Sequence, residues 1–100
     1  MSNIKDLLDF CKTVKNNRDI GSIHRSVVAE VGELSEEVDI ALGTSYKQPS
    51  EDGVVGEAVD VIIAALDLIS VHNPEFTDEQ FMEYALKKMN KWKSKAHIEG

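Results

Sequence analysis

Acidic side chains three and four residues apart are the first feature of this sequence that could do chemistry. Glu30, Glu33 and Glu37 form one series, and Glu57 and Asp60 form a second. On a helix these spacings set carboxylates side by side, where like charges repel. Glu57, Asp60 and Asp67 are the only acidic positions between Val55 and His72, and all three fall on one narrow helical arc. A carboxylate on an otherwise apolar helix is costly unless it is solvated, paired or bound to metal. Spacing alone favours the plainest of these, a thin solvent-facing strip. Two helices with such pairs shift the balance. If their arcs face one another, Glu30, Glu33, Glu57 and Asp60 converge, with no Lys or Arg on either arc. Oxygen ligands of this kind suit Mg²⁺ or Mn²⁺ and suit zinc poorly. Di-iron bundles need Glu-x-x-His pairs, whereas the third residue on is Glu33 or Asp60 here. Redox iron chemistry is therefore not expected.

Four helices have to position these groups. The first is expected from Ser2 to Asn16, with Ile4, Leu7, Leu8, Cys11 and Val14 at helical spacing, and Asn16-Asn17 and Gly21 breaking it. The second is expected to start at Ser22 as N-cap and to end at Gly43, with an apolar stripe centred near Val31 and Val38. Glu30 lies at the edge of that stripe. Thr44 to Ser50 reads as a loop. The third helix begins between Glu51 and Val54 and runs to His72, where Asn73-Pro74 stops it. Thr77 and Gln80 predict a capping box for a fourth helix that runs to Ala96. The expected fold is all-α: one domain over residues 1–100, a small antiparallel four-helix bundle. The third helix is apolar almost all round, more than a monomer of this size can bury, so a second copy is expected to cover it.

Composition limits the partners. The net charge of −7 repels nucleic acid and anionic lipid, so neither is expected. It also repels a polyphosphate unless a cation intervenes. Cys11 is the only cysteine, which excludes an intrachain disulfide, leaves zinc without a thiolate set and suits a reduced, cytoplasmic setting. Residues 58–71 are apolar-rich but interrupted by Asp60 and Asp67 and too short to span a bilayer. Residues Met1 to Asp9 lack the pattern of a signal peptide. His24, His72 and His97 are scattered and read as helix-end or surface residues. Lys87, Lys88, Lys91, Lys93 and Lys95 crowd the end of the last helix. A solvated terminus favoured by the helix dipole accounts for them first, and a phosphate clamp is the functional alternative.

The segment Glu30-Val31-Gly32-Glu33-Leu34, followed by Gly56-Glu57-Ala58-Val59-Asp60-Val61, resembles the MazG-like all-α nucleoside triphosphate pyrophosphohydrolases. The resemblance spans almost the whole chain. It implies that Glu30, Glu33, Glu57 and Asp60 hold Mg²⁺, with Mn²⁺ as a substitute. It also implies cleavage of a nucleoside triphosphate between the α and β phosphates, a house-cleaning role, and a dimer or tetramer. Within that reading Glu33 or Glu37 takes the proton of the attacking water. Lys87, Asn90, Lys91 and Lys93 steady the departing pyrophosphate. Two positions depart from the pattern. Ala29 stands where the family often has its first Glu, and Asn90 is followed at the third position by Lys93 rather than Arg. Lysine supplies charge without the bidentate fork of arginine. The rival expectation is a non-enzymatic helical module that binds protein and leaves its acidic face solvated.

Overall fold

The computed structural model describes residues 3–14 and 18–96, and among them every regular element is helical. Helix α1 covers Ile4–Thr13, α2 Ile20–Ala41, α3 Gly53–His72 and α4 Asp78–Ala96. The proposed break at Asn16-Asn17 and the expected Ser2 start lie outside the described residues.

Local chemistry sets the helix ends. Asn3 caps α1 through a reciprocal box, its side chain accepting from the Asp6 N–H while Asp6 accepts from the Asn3 N–H. The start of α2 differs from expectation. Asp19, not Ser22, is the N-cap, and its carboxylate accepts the Ser22 N–H at 2.7 Å. Gly21 therefore lies inside the first turn instead of breaking the chain, because an ionised cap offsets the modest helix cost of glycine. At the other end Gly43 adopts φ 76°, the left-handed conformation expected after a helix C-terminus. Thr77 and Gln80 form the capping box of α4, with bonds of 3.1 and 3.0 Å. Gly56 is required by contact rather than by torsion, since a Cβ there would stand 2.0 Å from the Cβ of Asp52.

The core lies where α1 crosses α3. Leu8, Cys11 and Leu66 are buried together, with Ile4, Leu7, Ile69 and Phe81 packed around them. Close backbone packing joins α2 to α3, α1 to α3 and α4 to α1. Helices α2 and α3 are antiparallel. Glu37 near the end of α2 meets Ser50 before α3, Glu30 and Glu33 meet Glu57, and Arg18 before α2 meets Asp67 late in α3. Helix α4 engages the core through Phe81 and projects beyond it, so the radius of gyration is 16.0 Å, above the roughly 13 Å of a compact chain of this length. Much apolar surface stays open as a result: Val55 is 74% exposed, Ile62 54% and Trp92 73%. No described helix is long and apolar enough to cross a membrane.

Candidate metal centre

The seam between α2 and α3 gathers the acidic side chains, because each helix turns one edge of its apolar stripe toward the other and carries carboxylates along that edge. Glu30, Glu33 and Glu57 each bring one carboxylate oxygen to a common point, all within 4.8 Å of one another. Glu33 is exposed, and Glu30 and Glu57 are half-buried. The Oε2 atoms of Glu30 and Glu57 are enclosed and have no hydrogen-bond partner. The ion pairs among the described residues are Lys5–Asp9, Arg18–Asp67 and Lys47–Glu36, and none includes a member of this trio.

The electrostatics follow from that crowding. The Glu30 carboxyl is pushed above its ordinary value by burial first, then by the close approach of Glu33 and by the charges of Glu33, Asp60 and Glu57. Glu57 is raised likewise, by burial and then by the charges of Glu33, Asp60 and Glu37. Enclosed, unpartnered oxygens crowded by like charge are unfavourable in the free protein. A divalent cation is a group that these three residues could hold.

Of the residues expected from sequence, Asp60 is adjacent rather than convergent. It stands beside Glu30 in the wall of a neighbouring cavity, outside the close trio. Glu37 is 7% exposed, and its two carboxylate oxygens accept the Ser50 N–H at 3.1 and 3.3 Å. It is engaged in holding the loop that enters α3, which leaves Glu33 as the exposed carboxylate of the pair. Lys87, Asn90, Lys91 and Lys93 are exposed along α4. That helix packs against α1, so the chain does not bring them to the seam.

The sequence pattern missed one partner. Asp67 is neither solvated nor part of the cluster. Both its oxygens receive the Arg18 guanidinium, Nη2 to Oδ1 at 2.9 Å and Nη1 to Oδ2, with side chains only 22% and 18% exposed. Arg18 lies on neither helical arc and reaches Asp67 from the segment before α2. The one available signal was that Arg18 and Arg25 are the only arginines in the chain.

Beside the trio, α1, α2 and α3 border an open-sided cavity of about 190 Å³. Glu30 and Asp60 line it, as do Phe10 and Val14 from α1 and Ile63, Ala64 and Asp67 from α3. No family model, curated protein or solved structure matches this chain.

Proposed function

We propose that the chain is a Mg²⁺-dependent nucleoside triphosphate pyrophosphohydrolase of the MazG-like type. The observation that carries this reading is the pair of enclosed, unpartnered oxygens, Glu30 Oε2 and Glu57 Oε2, within a three-carboxylate cluster drawn from two helices. The spacing of Glu30/Glu33 and Glu57/Asp60 and the resemblance of their segments supply the reaction class.

Glu30, Glu33 and Glu57 would hold the cation, and Asp60 beside them adds negative charge that both Glu30 and Glu57 feel. Once bound, a divalent cation neutralises phosphate charge and acidifies water. The protein's own groups do the rest. Water oxygen bonds to the α-phosphorus as the bond from that phosphorus to the bridging oxygen breaks, releasing a nucleoside monophosphate and pyrophosphate. Glu33, the exposed carboxylate of the trio, accepts the proton from that water. Glu37, fixed on the Ser50 N–H, holds the start of α3 so that Glu57 stays opposite Glu30.

The same reading includes a homo-oligomer, dimer or tetramer. Val28, Val31 and Val38 on α2, Val55 and Ile62 on α3 and Met89 and Trp92 on α4 are exposed in the single chain, more apolar surface than a monomer ordinarily leaves in water. A second copy would cover part of it, and in that assembly the α4 lysines would serve a neighbour's phosphates.

The test is release of pyrophosphate by purified protein with Mg²⁺ or Mn²⁺ across canonical and modified nucleoside triphosphates. Release from at least one is expected, and none from any refutes the hydrolase and favours the interaction module. Light scattering decides the assembly separately: a clean 11.1 kDa species would refute it.

A further inference from the structure

We infer that the open-sided cavity between α1, α2 and α3 is a nucleobase pocket selective for cytosine and adenine, and that Asp67 reads their exocyclic amino group. This inference rests on the hydrolase reading and extends it to a substrate class.

Position is the first argument. Asp60, Ile63, Ala64 and Asp67 lie on one face of α3 and line the same cavity. Seven residues at 1.5 Å rise separate Asp60 from Asp67 by about 10 Å. The end at Asp60 and Glu30 adjoins the carboxylates that would hold the triphosphate's cation, while Asp67 stands at the far end. A nucleotide seated with its phosphates at the first end directs its base toward the second.

Size and lining are the second argument. The volume of about 190 Å³ falls below the roughly 300–1,000 Å³ of sites that enclose a whole drug-sized ligand. It suits one ring system, with sugar and phosphates outside. Ile63, Ala64 and Val14 give apolar walls. Phe10 lines the cavity yet is 59% exposed, an aromatic face that the core does not use. Bases stack on such faces.

Selectivity follows from Asp67. Its oxygens are held by the Arg18 fork, which fixes their direction. A carboxylate only accepts hydrogen bonds, and two oxygens offer about four lone-pair sites, so accepting positions remain after Arg18 has donated. Cytosine N4 and adenine N6 present amino hydrogens, whereas thymine O4 and guanine O6 are acceptors at the corresponding edge. Uracil presents the same acceptor as thymine. An acceptor turned toward the half-buried Asp67 carboxylate finds no donor there, a mismatch by which sites discriminate strongly.

The experiment compares pyrophosphate release from dCTP and dUTP, which differ at this edge, with dATP, dGTP and dTTP beside them. We expect kcat/KM for dCTP to exceed that for dUTP at least tenfold. Phe10→Ala should raise KM for the preferred substrate about tenfold while changing kcat little, the low end of what base stacking contributes. Asp67→Asn, which adds a donor, should narrow the dCTP to dUTP ratio. Equal efficiency on both nucleotides, or an unaltered KM in Phe10→Ala, overturns the pocket while leaving the hydrolase intact. If no triphosphate is cleaved at all, nucleoside titration still reads the pocket. Cytidine should shift the methyl signals of Val14, Ile63 and Ala64 more than uridine does. Unmoved methyls would overturn the inference independently of turnover.

Discussion

Glu57→Gln should make the metal-free protein more stable and at the same time remove its stabilisation by Mg²⁺. The first effect has a definite sign because the Glu57 carboxylate is raised by burial and by the charges of Glu33, Asp60 and Glu37. Glutamine keeps the shape and removes the charge, so repulsion in the trio falls. The second effect is set by mass action. At a Mg²⁺ concentration one hundred times its dissociation constant, binding adds about 2.7 kcal/mol to the wild-type fold. Substitution of even a supporting residue weakens a metal site by about 10- to 100-fold. A hundredfold loss at the same concentration leaves an increment of about 0.4 kcal/mol. For a domain near 100 residues the wild-type increment corresponds to a rise in Tm of about 10 °C or more, and the variant's to about 2 °C. The assay is thermal unfolding of both proteins with and without Mg²⁺, at one protein concentration because assembly also shifts Tm. Two results would refute the reasoning: equal Mg²⁺ increments in the two proteins, or a metal-free variant that melts below wild type.

Other consequences follow from the same geometry. Asp60→Asn should lower pyrophosphate release about 10- to 100-fold while circular dichroism and oligomer size stay unchanged, and undiminished turnover would remove Asp60 from the site. The Mg²⁺ increment in Tm should shrink as pH falls. Glu30 and Glu57 are raised above 4.5, so the fold holds their protons more tightly than the unfolded chain does. Metal-free stability therefore declines as pH rises from 4.5 through the raised values and levels off above them, and metal must displace those protons at the lower end. A Mg²⁺ increment that does not change across that window would contradict the shared site. Arg18→Met should lower stability by about 1.5–3 kcal/mol, the range for hydrogen bonds to charged groups, because it leaves Asp67 half-buried and unpaired; denaturant unfolding measures it. Leu66→Ala should cost about 2–5 kcal/mol, since Leu66 is 2% exposed at the centre of the core, and a loss below 1 kcal/mol would show that the α1–α3 crossing is not where the stability lies.

Local pattern along the chain is enough to set the helices and the edge that carries charge. Alternation of apolar residues every three or four positions is a local pattern, and so are the Thr77–Gln80 box, the Gly43 terminus and the stop at Asn73-Pro74. Each acts through backbone geometry within one turn of the chain. The acidic spacing was equally legible, because 3.6 residues per turn places Glu30 beside Glu33 and Glu57 beside Asp60 without reference to anything else. What local pattern could not decide was which of these groups meet across the seam. Tertiary packing brought Glu57 to Glu30 and Glu33, left Asp60 in the adjoining cavity wall, and turned Glu37 onto the Ser50 N–H. It also gave Asp67 to Arg18, 49 residues away. That pairing depends on where Arg18, ahead of α2, meets α3, which helical periodicity does not encode. The cap at Asp19 differs from the Ser22 expectation for a smaller reason of the same kind: both residues suit a helix start, and only the realised bond chooses between them. Sequence thus fixes which groups share a helix face, because that follows from the turn of one helix. Only the docking of three helices decides which of those faces border a cavity between two carboxylate ends.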